Sequence, residues 1–303
     1  MKAKNKTALI IGSQGQDGKL LTQLLTGLNY KVIGVDKNGI DIQDRQAVFT
    51  LIKKNKPEEI YYLAAFHFSS QDKQDNAYND LYQSYQINVL ALLNFLEGIR
   101  LFSPKTKIFY ASSSLIFGNS KTKIQNENTP YNPNSAYGIT KMNGALLCKL
   151  YREKYNIFAS VGILYNHESK YRADNFISMK IIKGAINIKS GKQDKLIVGD
   201  LSAKVDWGYA PDYVKAMQLI LNNKQADDFI IATGKLHTVL DFIKITFKTL
   251  GLNYKKYIKE NKKIINERKA VLLGDAKKLK AITGWKASVN FSQMIKKIIN
   301  NLD

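Results

Sequence analysis

Short apolar runs alternate with segments of helical periodicity through the first half of this chain. The run "TALIIG" precedes "GKLLTQLLTGLNY", in which the leucines recur at helical spacing. Further apolar runs follow, each separated from the next by a predicted helix: "KVIGVD", "EIYYLAA", "KIFYASS" and "FASVGILY". Strands rich in Ile, Val and Leu that alternate with helices form parallel sheets covered on both faces. The sequence therefore predicts a doubly wound α/β fold.

Three glycines follow the first predicted strand and open the first predicted helix. They are Gly12, Gly15 and Gly18 in "GSQGQDG". Glycine lets the backbone approach a pyrophosphate, and the helix N-terminus offers unpaired N–H donors and a positive dipole end. The second strand ends in Asp36, where a carboxylate can accept both ribose hydroxyls and repels a 2′-phosphate. These features predict a dinucleotide site that takes NAD rather than NADP.

The alternation of strands and helices becomes less regular after about residue 165. Strand candidates such as "KLIVG" and "DFIIAT" mix there with amphipathic helices. We therefore expect a dinucleotide-binding domain of Rossmann type over residues 1–165 and a smaller mixed α/β substrate lobe over residues 166–303. Segments near 200–234 are expected to return to the first domain, and the cleft between the two parts is expected to hold the site.

Composition excludes several other classes of protein. The formal net charge is +21, but the lysines are spread along the whole chain and are not interleaved with aromatics in one segment, so nucleic acid is not the expected partner. A positive field instead favours an anionic substrate. The single cysteine and the short N-terminal apolar run predict a cytoplasmic protein without a membrane segment. No metal ligands are predicted.

Tyr137 and Lys141 lie four residues apart in "YGITK", which places both side chains on one face of a helix. A lysine ammonium beside a phenol is expected to lower the pKa of the tyrosine. Tyr137 then becomes a candidate general base for an alcohol proton while hydride leaves the same carbon. The preceding stretch "IFYASSSLIFG" adds hydroxyl groups at the end of a predicted strand, where α/β sheets bind ligands.

Together these motifs resemble the extended short-chain dehydrogenase/reductase family that acts on nucleotide sugars, and most closely its GDP-mannose 4,6-dehydratases. The resemblance spans nearly the whole chain. Its most specific stretches are "YNPNSAYGITK", "GILYNHES", "DLSAKVDWGYAPDYVKAM" and "LLGDAKKLKAITGW".

The resemblance implies roles for individual residues. Ser113 would bind the sugar O4 together with Tyr137, and Lys141 would also grip the nicotinamide ribose. Asn166, Lys180 and Arg268 would contact the nucleotide diphosphate, and guanosine as its base rests on the resemblance. A structural role is expected for His167. The cofactor would be contacted by a larger set: Gly12, Gly15, Gln16, Asp17, Gly18, Asp36, Asp41, Ile42, Leu63, Ala64, Ala65, Tyr137 and Lys141.

One position departs from the family pattern at the point of chemistry. In the resembled dehydratases the base that removes the C5 proton is a glutamate two residues after the catalytic Ser or Thr. Here that residue is Leu115, which cannot accept a proton. Val205 and Met179 also replace arginines of the pattern. His67 is a candidate replacement acid or base, with a packed or solvent-facing histidine as the alternative.

Three functions remain open from the sequence. The first is an NAD-dependent oxidoreductase or epimerase acting at C4 of a nucleotide sugar, expected to be GDP-linked. The second is a GDP-mannose 4,6-dehydratase whose base lies elsewhere. The third is a non-catalytic dinucleotide-binding protein. The resemblance also implies a homodimer or homotetramer associated through the helices near 78–100 and 135–155.

Overall fold

The computed structural model describes residues 5–66, 77–264 and 271–302. Strands fall where the apolar runs predict them, and further short strands occur in the second half. Their bounds are β1 (Thr7–Ile11), β2 (Lys31–Val35), β3 (Glu59–Tyr62), β4 (Lys107–Ser113), β5 (Ala159–Leu164), β6 (Asn166–Glu168), β7 (Leu196–Val198), β8 (Lys204–Tyr209), β9 (Asp228–Ile231), β10 (Leu236–Thr238) and β11 (Ile258–Glu260).

Helices connect these strands. Their bounds are α1 (Gln16–Gly27), α2 (Arg45–Asn55), α3 (Ala77–Tyr85), α4 (Ala91–Phe102), α5 (Ala136–Tyr155), α6 (Ile177–Lys189), α7 (Ala210–Leu221), α8 (Val239–Thr249), α9 (Lys277–Thr283) and α10 (Phe291–Asn300). Polar side chains define several helix starts: Asp44 accepts a hydrogen bond from the N–H of Gln46 at 2.8 Å, and Ser135 accepts one from Gly138 at 3.1 Å.

The main sheet of the described residues has six parallel strands in the order β2-β1-β3-β4-β5-β9. From β1 the chain continues to β2 at one edge of the sheet. It then crosses to β3 on the other side of β1 and continues through β4, β5 and β9. The strand order therefore reverses beside β1, and ligands of such sheets bind at the carboxyl ends of the strands at this point. The glycine-rich turn after β1 and the serines at the end of β4 both lie at that edge.

Apolar clusters cover both faces of the main sheet. One joins strand side chains to α2, α4 and α5, and it contains Val48, Leu92 and Cys148. The opposite cluster joins the sheet to α1, α7 and α9 through Leu21 and Met217. Because both faces are covered, the central strands are apolar along their whole length rather than alternating.

The second lobe has a core of its own. Trp207 on β8 is buried among side chains of α6, α8 and α10. The three-stranded sheet β10-β8-β6 lies here, with β8 antiparallel to β10 and parallel to β6. Strand β9 lies at the edge of the main sheet beside β5, and helix α7 packs on the same sheet.

The long helix predicted near 78–100 is interrupted by a π-helical turn at Gln86–Leu90 between α3 and α4. Asn88 on this turn is buried and its side chain N–H₂ group contacts the hydroxyls of Ser84 and Thr140, both at 3.0 Å. Tyr110 donates to the Asn88 carbonyl at 3.1 Å. The extra residue of this turn thus accompanies a buried polar cluster around Asn88, whereas a regular apolar helix face would contribute no polar side chain there. The polar Asn88 within "INVLALL" is the signal that sequence reasoning missed.

Candidate active site

Strand β4 delivers the three serines to the carboxyl edge of the sheet in different environments. Ser112 is buried and donates to the carbonyl of Lys141 at 3.3 Å, and Ser114 is buried as well. Ser113 is only half-buried, and its Oγ accepts a hydrogen bond from the N–H of Leu115 at 3.2 Å. Of the three hydroxyls, the one predicted to meet substrate is therefore the one nearest to solvent.

Tyr137 and Lys141 lie in the first turns of α5, as the spacing predicts. The Lys141 Nζ lies 5.6 Å from the centre of the Tyr137 ring and 4.9 Å from that of Tyr110, and it donates to the Ala111 carbonyl at 2.9 Å. Ala111 is on β4, so the lysine links the helix to the serine-bearing strand.

The start of α5 packs closely against the turn that follows β4. A Cβ added to Gly138 would lie 2.6 Å from the carbonyl oxygen of Leu115. Only glycine allows this approach, which brings the backbone of the 113–115 turn beside Tyr137. The Leu115 side chain itself is half-buried against the main-domain core.

The predicted lowering of the Tyr137 pKa is wrong for this structure. Burial raises the pKa of the phenol well above its usual value, with the Arg172 guanidinium lowering it and Asp17 raising it further. Burial also lowers the pKa of Lys141 to about 7, because the side chain is enclosed between β4 and α5. The lysine is directed at the Ala111 carbonyl and at the faces of the Tyr110 and Tyr137 rings.

Replacing Lys141 with methionine is expected to stabilise the chain at pH 7 by about 1–4 kcal/mol. The buried ammonium destabilises the folded state, and this destabilisation is largest below the folded-state pKa of about 7. It decreases as pH rises toward the ordinary lysine pKa of 10.5. Urea unfolding of wild type and variant at pH 7 and near pH 10 measures the difference. The gain should be larger at pH 7.

The exposed Lys149 on the same helix provides the matched control. Its replacement with methionine should change stability little at either pH. An equal gain from Lys141→Met at both pH values would contradict the burial argument.

Close backbone packing holds the glycine-rich turn at the N-terminus of α1. Gly12 has φ +89°, and a Cβ there would lie 2.8 Å from the backbone N of Ala64. A Cβ on Gly18 would lie 2.3 Å from the Gly12 carbonyl oxygen. Gly15 caps α1 in an extended conformation without a side-chain hydrogen bond. The residues present therefore fit a dinucleotide at this turn.

The other predicted cofactor residues surround this turn. Asp36 follows β2, and its carboxylate accepts from the N–H of Asn38 at 2.9 Å. Asp41 is exposed and accepts from the N–H of Gln43 at 2.9 Å. Ile42 is half-buried and packs against the main core. Leu63, Ala64 and Ala65 directly follow β3, and the backbone of Leu63 and Ala64 lies beside Gly12. All lie after adjacent strands at one edge of the sheet.

Two side chains of the glycine-rich segment are turned toward the second lobe. Asp17 lies 2.9 Å from the Nε2 of His167, and Gln16 donates to the His167 carbonyl at 3.0 Å. Gln16 also accepts from the hydroxyl of Ser169 at 2.9 Å. The structural role expected for His167 is visible in these contacts. The predicted contribution of Gln16 and Asp17 to cofactor binding would come from their backbone N–H groups.

Arg172 is a charged residue near the site that sequence reasoning missed. Its Nε lies 3.4 Å from a carboxylate oxygen of Glu168, and its guanidinium lies 3.6 Å from the centre of the Phe176 ring. Its positive charge opposes the rise in the pKa of Tyr137 and of His167, and it contributes to the lowered pKa of Asp17. A single arginine in the loop after "NHES" carries little signal without the fold.

The predicted substrate residues lie on different elements of the second lobe. Asn166 is exposed at the start of β6, and Lys180 is half-buried in the first turn of α6. Met179 is buried in the lobe core, and Val205 packs against that core from β8. Arg268 and His67 lie outside the described residues.

The described residues contain no group of three or more His, Cys, Asp or Glu side chains that could hold a metal ion. No helix in the described part of the chain is long and apolar enough to cross a membrane.

Comparison with protein families and curated proteins identifies relatives. The family model for GDP-mannose 4,6 dehydratase matches residues 38–298. GDP-mannose 4,6 dehydratase 2 of Arabidopsis thaliana is 36% identical over 329 residues, which covers 97% of this chain and 86% of the relative.

Comparison with solved structures confirms the predicted Rossmann-type fold. RMD from Pseudomonas aeruginosa complexed with NADPH superposes with a TM-score of 0.84 at 20% identity, over 98% of this chain and 99% of the other. The UDP-glucose 4-epimerase of Thermus thermophilus in complex with NAD gives 0.81 at 19% identity, over 97% and 98%. At these identities the likeness concerns the fold.

Proposed function

The chain belongs to the GDP-mannose 4,6-dehydratase family, and we propose that it is an NAD-dependent oxidoreductase or epimerase acting at C4 of a GDP-linked sugar. One observation carries the proposal. Lys141 of α5 donates to the Ala111 carbonyl of β4 at 2.9 Å, and the start of α5, where Tyr137 lies, packs on the turn that follows Ser113. The resemblance to the family implies a glutamate base at the position that the apolar Leu115 occupies here. This set supports hydride chemistry at a hydroxyl-bearing carbon and lacks the proton acceptor for dehydration at that position.

In the proposed mechanism Ser113 orients the sugar O4 by a hydrogen bond, and Tyr137 removes its proton. The phenol needs positive charge nearby to act as a base, and Arg172 supplies a field of the right sign. Lys141 would hold the nicotinamide ribose from its place between β4 and α5. A bound dinucleotide would accept the C4 hydride, or return it to either face of the sugar.

The glycine-rich turn and the residues after β2 and β3 would hold the cofactor in residues 1–165. Residues 166–303 would supply most contacts to the nucleotide sugar, with Asn166, Lys180 and Arg268 near the diphosphate. Asp36 favours NAD, because its carboxylate would repel the 2′-phosphate of NADP.

A 4,6-dehydratase with a relocated base is the second candidate. The family model over residues 38–298 and the 36% identity to a curated dehydratase favour it. No acidic residue lies between Ser112 and Gly118, and the next along the chain, Glu127, accepts a hydrogen bond from the N–H of Ile230 at 2.9 Å. Loss of a positioned base costs about 10²–10⁴-fold in rate.

The test is a reaction of the purified protein with GDP-mannose and NAD⁺, followed by nicotinamide absorbance and product mass. Loss of two hydrogens from the sugar, or an isomer of unchanged mass, supports the first candidate. Loss of one water supports the second. Binding of NAD without conversion of this sugar or of other GDP-sugars, including 4-keto-sugars with NADH, would contradict both.

A homodimer is proposed through α3 and α5. Four large side chains on these helices are exposed by 46% to 74%: Tyr78, Tyr82, Leu146 and Leu150. The helices pack side by side, with Asn143 donating to the Tyr85 hydroxyl at 2.9 Å. An exposed apolar face of two adjacent helices is typical of an interface between subunits. Cys148 is the single cysteine, which supports a reducing compartment such as the cytoplasm.

Replacing Leu146 and Leu150 together with glutamate is expected to weaken the dimer at least about 100-fold, because two unpaired carboxylates would be buried. Light scattering during size-exclusion chromatography measures the mass. Leu28→Glu is the control, since Leu28 is 48% exposed at the far end of α1. A variant that keeps the wild-type mass at low concentration would refute this interface.

A further inference from the structure

His167 is held by both ring nitrogens. Its Nδ1 lies 2.7 Å from the Tyr165 carbonyl oxygen, and its Nε2 lies 2.9 and 3.1 Å from the two carboxylate oxygens of Asp17. A carbonyl and a carboxylate can only accept hydrogen bonds, so both nitrogens carry protons in this arrangement. The contact is therefore an ion pair between an imidazolium and a carboxylate.

This ion pair joins the two lobes at the cofactor turn. Asp17 is the second residue of α1, two positions after the Gly15 cap, while His167 is on β6 of the second lobe. Gln16 adds two hydrogen bonds to the same segment, through the His167 carbonyl and the Ser169 hydroxyl. The end of α1 that would receive a pyrophosphate is thus fixed to the strand that begins with Asn166.

The pair also sets the charge at this helix end. A lone carboxylate in the first turn of α1 would repel a pyrophosphate at the helix N-terminus. The imidazolium cancels that charge while leaving the backbone N–H groups in place.

Other charged and titratable groups surround the pair. Arg172 approaches from the loop after β6, Tyr137 from α5, and the Tyr213 ring of α7 stacks on the imidazole with centroids 4.5 Å apart. Burial lowers the pKa of His167, but Asp17 outweighs it, and the pKa lies above its usual value of 6.5. Burial likewise raises the pKa of Asp17, and His167 outweighs it, so that pKa lies below its usual value.

We propose that the Asp17–His167 ion pair is a positioning device for the phosphate-binding end of α1, and that dinucleotide affinity falls when His167 loses its proton. The inference rests on the proposed function, because it requires a dinucleotide at this turn. Below the raised pKa the pair is intact and Asp17 is neutralised. As pH rises through that pKa, the imidazole becomes neutral, and the Asp17 carboxylate loses its hydrogen-bonded cation, which leaves more negative charge beside the pyrophosphate.

The first experiment measures NADH affinity by fluorescence between about pH 6 and about pH 9.5. We expect the wild type to lose affinity about 5- to 20-fold across this range. Asp17→Asn should remove the part of this dependence that the ion pair contributes, and the part that Lys141 contributes, with its pKa of about 7, should remain. The His167→Gln variant should bind NADH weakly over the whole pH range. Adding Asp17→Asn to that variant should restore its affinity for NADH.

The matched control removes a histidine elsewhere. His237 is half-buried in the second lobe and stacks on Phe291 with ring centroids 3.9 Å apart. His237→Gln should keep the wild-type affinity and its pH dependence. Equal pH dependence in wild type and Asp17→Asn would overturn the inference while leaving the proposed function standing.

The second experiment needs no cofactor. The chain has three histidines, so NMR can follow each imidazole, and the signal lost in His167→Gln identifies His167. It should titrate above 6.5, and its pKa should fall in Asp17→Asn. Titration at or below 6.5 overturns the inference whatever the cofactor does. Failure of both NADH and NADPH to bind at any pH overturns the proposed function and the affinity claim with it.

Discussion

Replacing Tyr137 with phenylalanine is expected to lower kcat for hydride transfer by about 10²–10⁴-fold, because the phenol oxygen is the proposed acceptor of the O4 proton. The ring is retained, so its packing beside Lys141, with Nζ 5.6 Å from the ring centre, should persist. Steady-state nicotinamide absorbance with the active sugar measures kcat. NADH titration should show affinity within a few-fold of wild type.

Tyr131→Phe is the matched control for this variant. Tyr131 is half-buried against Phe117, with ring centroids 6.0 Å apart, and belongs to the same end of the main domain without being part of the proposed catalytic set. Its loss of a hydroxyl should leave kcat near the wild-type value. If Tyr137→Phe retained most of the wild-type kcat, Tyr137 would not be the base, and the proposed catalytic set would be wrong.

Replacing Leu115 with glutamate is expected to raise the rate of water loss from GDP-mannose at least about 100-fold above the rate of the wild type. The new carboxylate would stand two residues after Ser113, where the resemblance to the family implies a base. The leucine is half-buried, so burial would raise the pKa of the glutamate toward the range suited to a general base. Mass spectrometry of the sugar product measures the water loss.

Leu115→Gln is the control, since it has nearly the same shape as the glutamate but cannot take a proton. It should give no water loss beyond the wild type. Water loss by the wild type itself at a rate matching the glutamate variant would show that dehydration proceeds from a relocated base. His67 would then be the first residue to replace.

The sequence predicted the main domain well because local chemistry decides it. Neighbouring residues alone are enough to recognise its features. These are the continuous apolar strands, the glycines at a strand–helix junction and the Tyr137–Lys141 spacing. The second lobe was less predictable, since its strands are three to six residues long and pair with partners distant in the chain. Strand β6 pairs with β8 some forty positions later.

The electrostatics of the site could not be predicted from spacing. A separation of four positions places Tyr137 and Lys141 on one face of the helix, but the direction of the ammonium depends on the Ala111 carbonyl of another element. Burial then raises the pKa of the Tyr137 phenol and lowers the pKa of the Lys141 ammonium, so both neutral forms are favoured. For the phenol this direction is the reverse of the prediction. Desolvation is a property of the assembled lobes and has no local signature in the sequence.

The sequence by itself determined the fold class, the place of the glycine-rich turn, and the absence of a proton acceptor at Leu115, because each follows from residue type and short-range periodicity. Only the tertiary structure decided that Asp17 meets His167, 150 positions away, and that Ser113 rather than Ser112 or Ser114 is the half-exposed hydroxyl. The physical reason is that charge pairing and exposure depend on which elements pack together, and packing brings together residues that no local pattern relates.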